Sequence, residues 1–249
     1  MVQLAFKRFV CIAVLGVAVA GCQTNRVDSN EAVSDSLYQA AVAAERNADY
    51  AAAVKHFGTL NQRRPENLSI VVALARNLRY SGASADAVRV LELEADHFGS
   101  DPAYLLELGK GKLAAGKSRG ALKALKTALA KDPENWEVQS TVGIAYDLLE
   151  DFDNARAAYE SALELSENNP AILNNMAISA ALSGDLDRAI YILKNATTAA
   201  RHSSQIRQNL ALFYGIKGDL ATAETLARMD LAEDAVRKNL SIYSRLRKN

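Results

Sequence analysis

The chain has little proline, little cysteine and no excess of charge, and each shortage narrows what it can be. Of 249 residues only four are proline, two are cysteine and one is tryptophan. Scarce proline beside abundant alanine favours helix over sheet, so an all-α fold is expected. Lysine plus arginine equal aspartate plus glutamate at 29 each, so the global charge gives no reason to expect nucleic acid as a partner. No G-x-S-x-G is present, and the three histidines, His56, His97 and His202, have no Cys or paired-His companion. Metal binding by them is therefore not expected. What remains is a chain with 49% apolar and 23% charged residues, the composition of a folded protein.

The N-terminus stands apart from that fold. Lys7 and Arg8 precede "FVCIAVLGVAVA" (Phe9–Ala20), a run too short to cross a bilayer as a helix but of signal-peptide length. The run ends in "VAGC" (Val19–Cys22), which resembles the bacterial lipobox: an aliphatic residue, two small residues, then the Cys that carries a diacylglycerol before cleavage. An ordinary secretory signal with a chance cysteine is the alternative. On the lipobox reading residues 1–21 are a signal peptide and Cys22 becomes the lipidated N-terminus, anchored by two or three acyl chains. Cys11 leaves with the signal, so no disulfide forms within the mature chain. Loss of Lys7 and Arg8 leaves a formal net charge of minus two. Gln23 stands where enteric-type lipoproteins retained at the inner membrane carry Asp, which points to the outer membrane. Residues 22–33 read as a short polar tether.

From residue 34 onward the sequence repeats every 34 residues, with repeats at 34–67, 68–101, 102–135, 136–169, 170–203 and 204–237. Position twenty holds Ala53, Ala87, Ala121, Ala155, Ala189 and Ala223. Position eight is always small: Ala41, Ala75, Gly109, Gly143, Ala177 and Ala211. Position twenty-four is large in five of six repeats, as at Phe57, Leu91 and Tyr159. Small residues let two antiparallel helices approach, and large ones fill the space between. Gly82, Gly116, Gly184 and Gly218 share position fifteen, where a first helix (A) must end in a left-handed turn. Asp151, Asp185 and Asp219 follow as N-caps of a second helix (B), and Pro65 and Pro133 fall between repeats. These columns resemble the tetratricopeptide repeat (TPR), and imply a superhelix of six helix-turn-helix repeats. After the sixth, Val236, Leu240, Tyr243 and Leu246 keep one face apolar, so helix B continues or a capping extension over 238–249 covers the open core. Arg245, Arg247 and Lys248 suit the C-terminus of such a helix; contact with anionic lipid is the other reading.

One motif competes with this picture. "GKLAAGKS" (Gly111–Ser118) satisfies the P-loop pattern G-x-x-x-x-G-K-[ST]. A P-loop needs a strand before it, whereas "PAYLLELGK" before Gly111 is a helix A and Gly116 is the turn glycine of its column. No nucleotide, cofactor or catalytic residue is expected. Glu150, Asp151 and Asp153 cluster at a repeat turn, where capping accounts for them.

In a TPR array the concave face is lined by helix A. Positions nine and thirteen of repeats four to six hold Ile144, Ile178, Leu212, Leu148, Leu182 and Ile216, an apolar stripe that either lines a groove or completes the core. Beside it Asn174, Asn175, Gln208 and Asn209 offer amides able to bond a peptide backbone. Repeats two and three instead present Arg76, Arg79, Tyr80 and Lys110, with Glu107 among them, so a groove basic at one end is expected. It would hold an extended or helical segment of a partner protein.

The C-terminal third narrows the resemblance. "AILNNMAISAALSGDLDRAI" (Ala171–Ile190) and "QIRQNLALFYGIKGDLATAETLARMDL" (Gln205–Leu231) resemble the TadD lipoproteins of the tight-adherence (Flp) pilus assembly system. That resemblance implies an outer-membrane lipoprotein facing the periplasm: a non-catalytic scaffold that binds pilus or secretion components, the secretin among the candidates. The rival classes are a pilotin-like or protease-adaptor TPR lipoprotein and, on the P-loop match, an NTPase.

Overall fold

The computed structural model describes residues 29–199 and 203–247, and these residues form helices joined by short turns. The signal peptide, Cys22 and His202 lie outside the described residues. Six antiparallel pairs follow one another: α1 (Ser29–Arg46) with α2 (Tyr50–Arg63), α3 (Leu68–Tyr80) with α4 (Ser84–Leu93), α6 (Pro102–Ala114) with α7 (Ser118–Lys131), α8 (Trp136–Asp147) with α9 (Phe152–Leu165), α10 (Pro170–Leu182) with α11 (Leu186–Ala199), and α12 (Ser204–Lys217) with α13 (Leu220–Arg228). A single turn, α5 (Ala95–Phe98), trails α4, and α14 (Glu233–Leu246) closes the chain. Each helix A packs on its own helix B, and each after α1 packs on helix B of the repeat before it. From α6 onward the preceding helix A is a neighbour as well.

The columns do what their sizes dictate. All six position-twenty alanines are fully buried. At Gly143 an added Cβ would sit 2.6 Å from Tyr159 Cε1, so this helix pair has closed to a distance only glycine permits. Position fifteen is left-handed in every repeat, with φ from +56° at Ala48 to +105° at Gly218; Ala48 and Glu150 adopt it without being glycine. Caps hold both ends of the turns. Asp49, Asp151, Asp185 and Asp219 accept backbone N–H bonds at the start of helices B. Asn67, Asp101, Asn135, Asn169 and Ser203, spaced 34 apart, do so for helices A.

Two boundaries differ from the sequence reading, and one of its alternatives, a separate capping helix after repeat six, is the one observed. Helix α1 begins at Ser29, so residues 29–33 of the expected tether are helical. Helix B of repeat six does not continue: α13 stops at Arg228 and α14 is a separate helix. The expected junction at 237/238 therefore falls inside α14, whose Val236 and Tyr243 are buried. That helix docks where Gly215 leaves room, since a Cβ there would collide with Tyr243 Cδ2. The break has a cause: Arg207 Nε at the start of α12 donates to Asp230 Oδ2 at 2.9 Å, and Gln208 Nε2 reaches the same oxygen at 3.2 Å. Asp230, in the turn after α13, is thereby tied back and held below the usual carboxylate pKa, first by the Arg207 hydrogen bond.

Candidate partner-binding groove

The helix A faces of the two halves are built differently. In repeats one to four they are stitched by ion pairs. Arg76 donates from Nε to Glu45 Oε1 at 2.6 Å and from Nη2 to Oε2 at 3.0 Å, joining α3 to α1. Arg79 makes the same fork to Glu107 on α6, at 2.9 and 3.4 Å. Lys110 Nζ reaches Glu137 on α8 at 2.5 Å. The hydrogen bond to Glu45 holds Arg76 above the usual arginine pKa. Burial opposes the charge on Arg79, yet its bonds to Glu107 more than offset this and its pKa is also raised. The guanidinium of Arg79 further lies 4.6 Å from the ring centre of Tyr80, which is half exposed. The expected basic end of the groove is therefore a neutralised ladder, because Glu45, Glu107 and Glu137 answer each cation.

In repeats four to six the stitches run between amides, hydroxyls and the Asp147 carboxylate. Asn209 Nδ2 donates to Asn174 Oδ1 at 2.7 Å, and Asn175 Nδ2 approaches Ser140 Oγ at 3.5 Å. The amides expected to stand free for a peptide are thus engaged between repeats, and Asn174 is buried. Gln208 is drawn to Asp230. The acceptors Gln139 Oε1 and Gln208 Oε1 are buried with no hydrogen-bond partner. Below them Asp147 ends α8 with Oδ1 accepting from Ser179 at 2.6 Å and Oδ2 from Tyr159 at 2.7 Å. Burial pushes the Asp147 carboxyl above its ordinary value against the pull of both hydroxyls. Burial and the Asp147 charge push the Tyr159 hydroxyl far up, so it remains a donor.

The apolar stripe divides by position. Ile144, Ile178 and Leu212 are half buried against the core clusters of repeats four to six. Leu148 and Leu182 are 54% and 60% exposed at the rim, and Ile216 is half buried. Position nine thus contributes to the core and position thirteen, at Leu148 and Leu182, to the surface.

The P-loop-like segment takes its place in the repeat. Gly111 is buried in α6 beside Val88, Lys112 Nζ pairs with Glu92 at 3.2 Å, and Gly116 is the left-handed turn at φ +72°. A helix, not a strand, precedes it. His97 lies exposed beside Glu94, and among the described residues no three His, Cys, Asp or Glu side chains converge as a metal would require. No helix among them is long and apolar enough to cross a membrane.

Tetratricopeptide-repeat family models match residues 106–170 and 148–208. No curated protein matches the chain. Among solved structures, PilW, a widely conserved type IV pilus biogenesis factor, superposes with a TM-score of 0.70 at 17% identity, over 84% of this chain and 97% of PilW. A thermophilic TPR protein of Thermus thermophilus superposes with a TM-score of 0.66 at 22% identity, over 72% of this chain and 98% of that one. A TPR protein of Parabacteroides merdae gives 0.56 at 14% identity, over 84% and 98%. At such identities the likeness concerns the fold, the same one that the 34-residue columns build. The fold is a tetratricopeptide-repeat superhelix, all-α, with six repeats closed by a C-terminal helix.

Proposed function

We propose that the chain is a non-catalytic, lipid-anchored scaffold for assembly of a bacterial surface pilus of the tight-adherence (Flp) type. The TPR fold is that of a protein-interaction scaffold, and here helix A offers half-buried Ile178 and Leu212 with Leu148 and Leu182 at the rim. The observation that carries the pilus reading is the match to PilW over 84% of this chain and 97% of PilW. The "VAGC" lipobox adds the anchor, at Cys22, on the periplasmic face of the outer membrane. Tethering there raises the local concentration of the scaffold near membrane-embedded pilus components such as the secretin. The stretch that resembles TadD proteins includes Arg207, Gln208 and Asp230, which tie the turn after α13 to the start of α12. PilW also favours a second reading, a pilotin-like role in a type IV pilus system.

A deletion strain complemented with photo-crosslinking residues at Ile178 or Leu212 separates these readings. The expected result is loss of surface adherence on deletion, rescue by the native chain but not by Cys22→Ser, and capture of a tight-adherence component. Capture of a type IV pilus component moves the assignment to the second reading. Unchanged adherence and piliation in the deletion strain sinks both.

A further inference from the structure

The turns between helices A and B all lie along one edge of the superhelix, and that edge is polarised in charge. In repeats one to three the turns read "RNADYA", "YSGASA" and "AAGKSR", with Arg46, Lys117 and Arg119 against Asp49 alone. In repeats four to six they read "LLEDFD", "LSGDLD" and "IKGDLA", with Glu150, Asp151, Asp153, Asp185, Asp187 and Asp219 against Lys217 alone. Internal pairing does not remove the contrast. Arg46, Lys117 and Arg119 form no ion pair among the described residues. Glu150, Asp151 and Asp185 form no ion pair among the described residues, Asp151, Asp185 and Asp219 cap helices B, and in repeat six the Arg247 guanidinium lies over the Gly218 turn beside Asp219. The same edge exposes Tyr80, Leu148 and Leu182, each about half or more accessible. Near its midpoint Leu148 and Leu149 border a shallow hollow with Gly116, Lys117, Ser118, Arg119 and Gly120.

We propose that this edge joins two copies of the chain in an antiparallel, two-fold dimer. An isologous interface requires a self-complementary patch, and an edge basic in one half and acidic in the other becomes so when turned end for end. With the axis between repeats three and four, the turn of repeat three meets that of repeat four in the other copy, two meets five, and one meets six. Lys117 and Arg119 then face Glu150 and Asp151, and Tyr80 faces Leu182. Leu148 falls beside the axis, where it enters the hollow beside Gly116 of the other copy. Any other partner would have to present the same order of charges reversed, which a second copy does by construction. Burial of the leucines and Tyr80 supplies the attraction, and the exposed charges set register and direction. Position thirteen is the last turn of helix A, so pairing there leaves Ile178 and Leu212 open to a different partner.

Sedimentation equilibrium on the full chain, with Cys22→Ser to remove the site of acylation, tests this. A monomer–dimer equilibrium is expected, and it weakens between about 0.05 and about 0.5 M salt as exposed charges are screened. Lys117→Glu with Arg119→Glu weakens dimerisation about tenfold or more, since symmetry applies each reversal twice. Adding Glu150→Lys recovers most of that loss. Leu148→Lys abolishes the dimer, while circular dichroism of every variant stays native because the positions are exposed. A native chain that remains monomeric throughout, or a dimer indifferent to both the charge reversals and Leu148→Lys, overturns the proposal.

Discussion

The N-terminal and C-terminal halves solve one problem, the joining of successive helices A, with different chemistry. Arg76–Glu45, Arg79–Glu107 and Lys110–Glu137 are charge-assisted, and two of them are forks in which planar guanidinium meets carboxylate. Asn209–Asn174, Asn175–Ser140 and Ser179–Asp147 carry at most one charge per link. The N-terminal links therefore depend on ionic strength according to their exposure, and the C-terminal links depend on it little. The difference also bears on binding: cations spent on holding repeats together are not available to an acidic ligand. In the C-terminal half the rim keeps apolar surface at Leu148 and Leu182.

The sharpest way to break this comparison is to remove the most buried cation of the N-terminal ladder. Glu107 retains only 5% of its side-chain exposure and Arg79 only 16%. Arg79→Ala strands that carboxylate, and a loss of about 3 kcal/mol is expected from urea unfolding. A loss no greater than that of Arg76→Ala, whose pair is 36% and 21% exposed, would show that burial does not set the strength of the ladder.

A smaller effect separates the two chemistries. Asn209→Ala leaves Asn174 Oδ1 buried without its donor, at a cost of about 1–2 kcal/mol. That cost should be the same in dilute and concentrated salt. Arg76→Ala should cost about 1 kcal/mol or less in dilute salt and fade toward zero as the screening length shrinks to about 3 Å at about 1 M. Equal salt slopes for the two variants would erase the distinction between the halves.

What the sequence made legible, and what it hid, follows the reach of each interaction. Ala53 to Ala223, Gly143 against Tyr159 and the position-fifteen turns are set by contacts within one repeat, so they recur as columns. The state of Arg76, Arg79 and Lys110 depends on carboxylates 31, 28 and 27 residues away on neighbouring repeats, which no single column displays. The amide links were within reach: both run from position six to position five of the preceding repeat, 35 residues back. So were the caps of helices A, which recur every 34 residues from Asn67 to Ser203. Asp230 became intelligible only when the turn after α13 was seen against Arg207 and Gln208.

Asp147 provides the smallest and most specific test, because it is the carboxylate among the C-terminal links. Burial holds its pKa above the ordinary value, so the folded chain binds that proton more tightly than the unfolded chain does. Its contribution to stability is therefore fully present below the unfolded value of about 3.9 and is lost as pH rises through the folded pKa. Asp230 has the opposite sign: its lowered pKa favours the fold above the ordinary value and fails as pH falls through the folded one. Asp147→Asn removes the first dependence and leaves the second. Across urea titrations from about pH 4 to about pH 7, the variant should gain stability relative to the native chain as pH rises. A relative loss over that range would mean that Ser179 and Tyr159 hold Asp147 as a stabilised anion, and that the C-terminal half, too, relies on charge.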